Sequence, residues 1–263
     1  MSYIASISIS TDKNNPFPFN IPAVKYAKDI DLNSPINFFV GDNGTGKSTL
    51  LETIAFRLQL PHIDGSDYSK KSFQAAIKLA SYLDLKFQID RPIGFFFRAE
   101  DFGDYLNSVN RTDAQLHAQL DYLEGEVSKE IIQQMKDNAN HQIYHMRNNY
   151  GQELESFSHG EAYLKIMQEK IQRRGIYLLD EPEAALSPSK QLALMSYIMD
   201  HLKHNNSQFI IATHSPILMS LPKAIIYEIT ESTMQKKSLE ELEHYIITKS
   251  FLNDPELYLR HFE

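Results

Sequence analysis

The sequence predicts an α/β fold in which helices cover both faces of a mostly parallel sheet. Short runs of apolar, β-branched and aromatic residues recur along the 263-residue chain, and helix-like segments lie between many of them. Solidly apolar strands are typical of parallel sheets, because both faces of such sheets are buried. Strands are predicted at Ile4–Ile9, Ile36–Val40, Ile93–Phe97, Ile176–Leu179, Phe209–Ala212, Ala224–Ile229 and Tyr245–Thr248.

The helices follow from apolar spacing and from their first residues. Ser187 suits an N-cap and Pro188 suits the first helical position of the helix that follows. Residues 101–170 have almost no strand signal, so we expect one domain, residues 1–263, with a helical lobe inserted at about 101–170. Helices are predicted at Lys47–Leu58, Tyr68–Leu83, Asp113–Asp137, Glu161–Ile171 and Pro188–Lys203.

The charge balance bears on partners. The chain has 26 Lys and Arg against 34 Asp and Glu, a net charge of −8. A net acidic chain is not drawn to nucleic acid by its overall charge. DNA is therefore a possible partner, but the net charge does not indicate it. The basic pairs Lys70-Lys71, Arg173-Arg174 and Lys236-Lys237 are short and scattered, which favours solvated surface.

The composition also bears on location. Cysteine is absent, so the sequence offers no disulfide, thiolate metal site or thiol nucleophile. No run approaches the roughly 18 apolar residues that span a bilayer, and the segment Met1–Ser10 lacks the basic region of a signal peptide. We expect a cytoplasmic protein with no direct membrane insertion.

The most specific motif is Gly-Asp-Asn-Gly-Thr-Gly-Lys-Ser-Thr at residues 41–49, which fits the phosphate-binding pattern G-x-x-x-x-G-K-[ST]. Its glycines let backbone N–H groups converge on one centre, and the next helix directs its positive end there. Lys47 suits the β- and γ-phosphates, and Ser48 suits Mg²⁺. A chance glycine-rich turn is the alternative. The predicted nucleotide-binding residues here are Asn43, Gly44, Thr45, Gly46, Lys47, Ser48 and Thr49.

A second motif is the apolar strand before Asp180-Glu181-Pro182. Ligands of open α/β sheets bind beyond the carboxyl ends of the strands, where the phosphate-binding loop also lies. Asp180 is suited to hold Mg²⁺ through a water opposite Ser48. Glu181 is suited to polarise an attacking water. The alternative is an acidic turn after a strand.

Two weaker motifs accompany these. His214 ends the strand Phe209–Ala212 in Thr-His-Ser, where it could orient the water, although such a histidine is more often structural. Ser158 and Gly160 suit a helix start with exposed N–H groups. Ser158 and Glu161 also form the S-x-x-E of a simple capping box, which is the structural alternative.

Taken in order, the four motifs resemble those of the ABC-type P-loop ATPases over about residues 36–216. Residues 41–49 are similar to Walker A, residues 158–161 to the signature motif, residues 177–187 to Walker B plus the D-loop, and residues 213–215 to the switch histidine. The sequence of residues 180–188 and the small size of the chain resemble the soluble branch of this family. That branch includes RecF-, SMC- and OLD-like ATPases and small stand-alone ATPases.

This resemblance implies Mg²⁺-dependent ATP hydrolysis, with Lys47, Glu181 and His214 as catalytic residues and Ser48 and Asp180 at the metal. It also implies a head-to-tail homodimer that forms on ATP binding. Ser158 and Gly160 of one copy would bind the γ-phosphate held on Lys47 of the other, with Ala184–Ser187 at the seam.

The chain departs from the family pattern at two places. His159 and Glu161 replace the usual Gly and Gln of the signature, so Glu161 is expected to point away from the nucleotide. The family's Gln after the strand that leads into the helical lobe is also missing. Glu100 as a metal partner, Arg98 as a phosphate contact and Gln88 are the candidates for that position.

Two further assignments stay open or are disfavoured. Tyr26, Phe17 and Phe19 are candidates to stack on adenine, although core packing is the expected role of each. His141 and His145 have i,i+4 spacing that zinc could use on a helix. Because no other ligand type stands nearby in this Asn-rich segment, a solvated face is favoured.

Three functions are compatible with the motifs. The leading one is an ATPase that dimerises on ATP and drives or times the action of an unknown protein partner. The second is a slow nucleotide-switched binding module that acts with a nuclease, an effector or DNA. The third is the ATP-binding motor subunit of a membrane transporter. A simple P-loop kinase is disfavoured because the signature-like motif and His214 would have no role.

Overall fold

The computed structural model describes residues 2–10, 16–62, 68, 71–88, 93–103 and 159–260. Its strands are β1 (Ile4–Ile9), β2 (Ile30–Asp31), β3 (Ile36–Val40), β4 (Leu83–Phe87), β5 (Gly94–Arg98), β6 (Ile176–Asp180), β7 (Gln208–Ala212), β8 (Ile225–Ile229) and β9 (Met234–Lys237). Its α-helices are α1 (Pro22–Lys25), α2 (Lys47–Leu58), α3 (Gln74–Ala80), α4 (His159–Lys170), α5 (Pro188–His204), α6 (Pro216–Met219), α7 (Glu243–Asn253) and α8 (Glu256–Leu259).

A six-stranded sheet forms the centre, in the order β5-β6-β7-β3-β8-β9. Its neighbouring strands are parallel except for β9, which pairs antiparallel with β8. The prediction of a mostly parallel sheet is therefore confirmed. The register places Phe39 and Asp180 opposite Ala212 on the two sides of β7. The residues that follow β3, β6 and β7 therefore meet at one edge of the sheet.

Both faces of this sheet are buried, as the apolar strands predict. In β6, Ile176 and Leu178 pack on one side with residues of α2, while Tyr177 and Leu179 pack on the other side with residues of α4 and α5. The alternation follows from the two-residue period of a strand. Each fully buried apolar side chain contributes about 1.5–3 kcal/mol relative to an exposed one. The buried residues on the two faces of the sheet thus fix the position of the edge at which the residues after β3, β6 and β7 meet.

A second, antiparallel sheet in the order β2-β1-β4 was not predicted as a separate layer. The helix expected over Tyr68–Leu83 is shorter than predicted, since its α-helical part is Gln74–Ala80 and a 3₁₀ turn precedes it. Leu83 instead begins β4, in which Leu83 and Leu85 alternate with the exposed Asp84 and Lys86. That alternation suits a strand with one solvated face, and β4 pairs with β1.

The strand predicted at Tyr245–Thr248 is wrong, because these residues lie inside helix α7. The position next to β8 in the sheet is taken by β9, a strand that the sequence did not predict. Ser238 and Glu241 form a capping box that turns the chain, and the buried Leu242 anchors the start of α7. A β-branched, aromatic run therefore becomes a surface helix, because its neighbours override its strand preference.

The predicted helical lobe is described in part. Helix α4, at His159–Lys170, lies close to the helix expected at Glu161–Ile171. The helix expected at Asp113–Asp137 and the pair His141 and His145 lie outside the described residues, so the single domain with a lobe at 101–170 stays a prediction. Within the described ranges, no helix is long and apolar enough to cross a membrane.

Candidate functional site

The loop between β3 and α2 depends on glycine at both of its ends. Gly41 has φ +143°, and a Cβ there would lie 2.1 Å from the carbonyl oxygen of Ile229. Gly46 has φ +91°, and its Cβ would lie 2.0 Å from Cγ2 of Ile21. L side chains rarely adopt such backbone conformations. Glycine therefore lets the loop lie tightly between β8 and the segment before α1.

Lys47 begins helix α2 and turns its side chain back under this loop. Its Nζ donates to the carbonyl oxygens of Gly41 at 2.8 Å and Asp42 at 3.0 Å. Burial lowers the pKa of this amine, while the carboxylates of Glu181 and Asp180 act in the opposite direction. An ammonium has three N–H bonds, so the two carbonyls leave one for a phosphate oxygen.

The other predicted residues of the loop lie around Lys47. Asn43 and Gly44 are exposed at the tip. The buried Thr45 donates its hydroxyl to the carbonyl oxygen of Asp42 at 2.8 Å, which closes the turn. Thr49 is half-buried in the first turn of α2. The loop thus presents its tip to solvent and holds its base by internal hydrogen bonds.

Ser48 meets Asp180 where α2 approaches the end of β6. The Ser48 hydroxyl donates to Oδ1 of Asp180 at 3.2 Å. Asp180 is 6% exposed, and burial raises its pKa to about 7, with Glu181 and Glu52 adding to the rise while the Ser48 hydrogen bond opposes it. Hydroxyl and carboxylate oxygens suit Mg²⁺, and a divalent cation would offset the burial of this carboxylate. These donors fit a magnesium ion.

Glu181 has an unusual backbone, with φ +49°. Its N–H donates to the carbonyl oxygen of Ala212 at 2.9 Å, so the chain turns while still joined to β7. Positive φ is uncommon outside glycine and is found at strained functional positions. The turn leaves Asp180 buried while the side chain of Glu181 is 43% exposed. Oε1 of Glu181 lies 3.6 Å from Nε2 of His214.

His214 is held at its backbone and at its ring. Its N–H donates to Oε1 of Glu183 at 2.6 Å, and its Nδ1 lies 3.3 Å from Nε2 of His244. Burial, together with the charge of Lys47, lowers the pKa of His214, although Glu181 opposes this. The imidazole is therefore neutral near pH 7.

Sequence reasoning missed two of these partners. Glu183 stands three residues after Asp180, so its position in the acidic turn was the available signal. His244 carried no signal, because it lies 30 residues from His214 beside a run that was predicted to be a strand.

A cleft of about 380 Å³ joins these elements. It is open to solvent and extends from the start of α2, past the end of β6, to the turn before α5. The residues that line it are Ser48, Ala99, Glu100, Asp180, Glu181, Ala184 and Ala185.

The three candidates for the missing Gln separate clearly in space. Arg98 is buried, and its guanidinium contacts Glu52, Glu100 and Asp101. Gln88 lies beside β4, where its amide contacts Ser2 and Asn33. Glu100 lines the cleft with Ser48 and Asp180. Of the three, Glu100 alone lines the cleft.

The signature-like segment is described from His159 onward, so Ser158 lies outside the described residues. A Cβ on Gly160 would lie 2.8 Å from the carbonyl oxygen of Ala185. Oε1 of Glu161 lies 3.7 Å from Nζ of Lys190. Gly160 therefore packs on the turn before α5 of its own chain, and it is not among the residues that line the cleft.

The aromatic candidates differ in exposure. Phe19 is buried and packs edge-on against Tyr82 at 4.9 Å, so it belongs to the core. Phe17 is 65% exposed. Tyr26 is half-buried, with Nζ of Lys25 at 4.9 Å from its ring centre. An adenine contact by Phe17 or Tyr26 stays a prediction.

Residues 23–238 match the family model described as RecF/RecN/SMC N terminal domain. The chain belongs to this family. The resemblance to an ABC-type P-loop ATPase is thereby confirmed, and the Ser48–Asp180 contact lies within the matched range. A search of the curated proteins finds no match.

Three solved structures are similar to this chain. The Smc head domain from Pyrococcus furiosus, with an extended coiled coil and bound to the C-terminal domain of ScpA, is 14% identical, with 97% of this chain and 99% of that chain covered and a TM-score of 0.48. The cbiO1 protein from Clostridium perfringens, part of the ABC transporter complex cbiONQ, is 19% identical, with 97% of each chain covered and a TM-score of 0.46. A nucleotide-free ATP-binding cassette from an ABC transporter is 16% identical, with 86% and 88% covered and a TM-score of 0.45.

Proposed function

We propose that this RecF/RecN/SMC-type domain binds ATP and hydrolyses it with Mg²⁺. The observation that carries the proposal is the meeting of Ser48, Asp180 and Glu181 in one cleft, with His214 beside Glu181. Ser48 and Asp180 would hold Mg²⁺, which when bound supplies positive charge to the phosphate oxygens. The phosphate-binding residues are Asn43, Gly44, Thr45, Gly46, Lys47, Ser48 and Thr49.

The chain supplies three further groups for the reaction. Glu181 is the general base, because its side chain is partly exposed at the cleft and lies beside His214. His214 positions the attacking water with its Nε2. Lys47 neutralises phosphate charge from beneath the loop. Glu100 takes the place of the missing Gln beside the metal, held by its ion pair with Arg98.

The active form is a head-to-tail homodimer that assembles on ATP. In one chain, Gly160 packs on Ala185 and no described residue of α4 lines the cleft. The N-terminus of a helix favours phosphate, and this one can serve the cleft of a second copy. Ser158 and Gly160 of one copy would then complete the site around Lys47 of the other.

Phosphate release by the wild type and two variants tests the reaction. We expect Lys47→Ala to lose nucleotide binding and Glu181→Gln to retain it while losing turnover. Lys28→Ala, which changes an exposed lysine, serves as the control. Equal rates in the wild type, Lys47→Ala and Glu181→Gln would refute the proposal.

Size-exclusion chromatography of Glu181→Gln tests the dimer. We expect a dimer with Mg²⁺ and ATP and a monomer without nucleotide, because slow turnover preserves the ATP-bound form. A monomer under both conditions would refute the dimer.

A protein partner is favoured by the C-terminal helices. Large apolar side chains are exposed along α7 and α8, and exposed apolar patches mark interaction sites. The exposed side chains are Ile246, Ile247, Phe251, Leu252, Leu257 and Leu259. This surface supports a module in which ATP binding controls how long the protein holds a protein partner.

The motor-subunit alternative depends on the helical lobe, most of which lies outside the described residues. A cytoplasmic location stays a prediction.

A further inference from the structure

The ring of His214 contacts a second histidine, His244, which lies in helix α7. Nδ1 of His214 lies 3.3 Å from Nε2 of His244, and the two ring centres are 5.4 Å apart at an interplanar angle of 51°. We propose that His244 is a positioning residue that donates its Nε2–H to His214 and thereby fixes the tautomer of His214. The role in hydrolysis rests on the proposed function, whereas the tautomer is a property of the nucleotide-free protein.

Both partners of this contact are anchored. His244 is the second residue of α7, two positions after Leu242, which is 1% exposed in the core. The preceding turn is closed by the capping box of Ser238 and Glu241. On the other side, Glu183 holds the backbone N–H of His214 at 2.6 Å. The hydrogen bond between the rings therefore joins two fixed points of the backbone.

The surroundings of Nε2 in His214 indicate which tautomer is present. This atom is buried without a hydrogen-bond partner within the described residues, and the closest charged oxygen is Oε1 of Glu181 at 3.6 Å. An ionised carboxylate can only accept a hydrogen bond. A hydrogen on Nε2 therefore faces an acceptor, whereas a bare Nε2 would place two lone pairs opposite each other.

The proton on Nε2 determines the role of Nδ1. A neutral imidazole carries one hydrogen, so Nδ1 of His214 must then accept. The group at hydrogen-bond distance from it is Nε2 of His244, which must donate. His244 thus sets which nitrogen of His214 carries the hydrogen, in the way that an outer partner sets the tautomer of a functional histidine.

This arrangement has a consequence for the site. An Nε2–H of His214 can donate to a water or to a phosphate oxygen, whereas a bare Nε2 cannot. Loss of the His244 donor would let His214 exchange between its tautomers. The fraction of molecules whose His214 carries its hydrogen on Nε2 would fall. The loop and Lys47 would still bind nucleotide.

Long-range ¹H–¹⁵N NMR of the imidazoles tests the tautomer in the nucleotide-free protein, with His214→Gln used to assign the His214 signals. We expect a hydrogen-bearing Nε2 and an accepting Nδ1 in the wild type. His244→Gln, whose amide can donate from a similar place, should preserve this pattern, and His244→Phe should mix the two tautomers. A hydrogen on Nδ1 in the wild type, or an unchanged pattern in His244→Phe, would overturn the proposal.

Kinetics then separate the two ideas. We expect His244→Phe to lower kcat about tenfold with little change in KM, and His244→Gln to stay within about threefold of the wild type. His204→Phe, at an exposed histidine, is the matched control. If His244→Phe unfolds, His244→Asn replaces it, because its shorter amide ends before Nδ1. Equal kcat in the wild type and His244→Phe would overturn the positioning role. A wild type that does not hydrolyse ATP would overturn the proposed function, and the NMR spectra would still decide the tautomer.

Discussion

The hydroxyl of Ser48 donates to Oδ1 of Asp180 at 3.2 Å, across 132 residues of sequence. One oxygen comes from the first turn of α2 and the other from the last residue of β6. Both residues line the same cleft. The packing of α2 against the sheet therefore brings together two oxygens of the kind that bind Mg²⁺.

Ser48→Ala removes one of these two oxygens. We expect the Mg²⁺ concentration for half-maximal ATP hydrolysis to rise by about tenfold or more, because a site with fewer ligands binds the ion more weakly. Titration of Mg²⁺ at fixed ATP measures the change. Ser220→Ala, which removes an exposed hydroxyl bonded to the carbonyl oxygen of Ile217, is the control. An unchanged requirement in Ser48→Ala would contradict the assignment.

Two glycines of the loop make a matched pair for stability. Gly44 and Gly46 both have positive φ, +83° and +91°, but a Cβ on Gly44 meets nothing within 4 Å while one on Gly46 meets Ile21. Gly44→Ala should cost roughly 1–2 kcal/mol from backbone strain alone. Gly46→Ala should cost a further ~1–3 kcal/mol from overpacking. Urea unfolding without nucleotide measures both, and equal losses would show that the Ile21 contact is unimportant.

Arg98 joins three carboxylates at the end of β5, two of them buried with it. Arg98→Met should lower the free energy of unfolding by about 3–5 kcal/mol, because Glu52 and Asp101 lose their buried cation. Arg98→Lys should lower the free energy of unfolding by a smaller amount, because it keeps the positive charge. It should still lower it, because lysine lacks the paired N–H groups that contact Asp101. Denaturant unfolding at pH 8 measures these losses. Arg57→Met, at an exposed arginine, should change little, and a similarly small change in Arg98→Met would contradict the prediction.

Glu52 predicts a pH dependence. Burial raises its pKa from 4.5 to about 7, against the opposing effect of Arg98. Between these values the folded chain keeps a proton that the unfolded chain has lost, so the free energy of unfolding falls as pH rises through this window and levels off above about 7. Glu52→Gln cannot titrate, so the fall should shrink by roughly 1–3 kcal/mol.

Denaturant unfolding at pH 5 and pH 8 measures that difference. Glu256→Gln, at an exposed position of α8, should leave the fall unchanged. Part of the fall should persist in Glu52→Gln, because burial also raises the pKa of Asp180. A fall of the same size in the wild type and in Glu52→Gln would contradict the role given to Glu52.

The sequence by itself determined the five parallel strands of the central sheet and the loop that follows β3. Strand β3 and helix α2 lie at the predicted residues, Ile36–Val40 and Lys47–Leu58. Their signals are local: a continuous apolar run, and glycines spaced so that the chain can turn before a helix. The order of the motifs also identified the family, because each motif can be read within a few neighbouring residues.

Only the tertiary structure decided the remaining relationships. Pairing with β8 made β9 the edge strand and left residues 245–248 to form part of α7. The same packing set His244 against His214 and placed Glu100, rather than Arg98 or Gln88, in the cleft. Each of these outcomes depends on contacts between residues far apart in the chain. Such contacts arise when layers compete for the same buried surface, which no local pattern of residue types records.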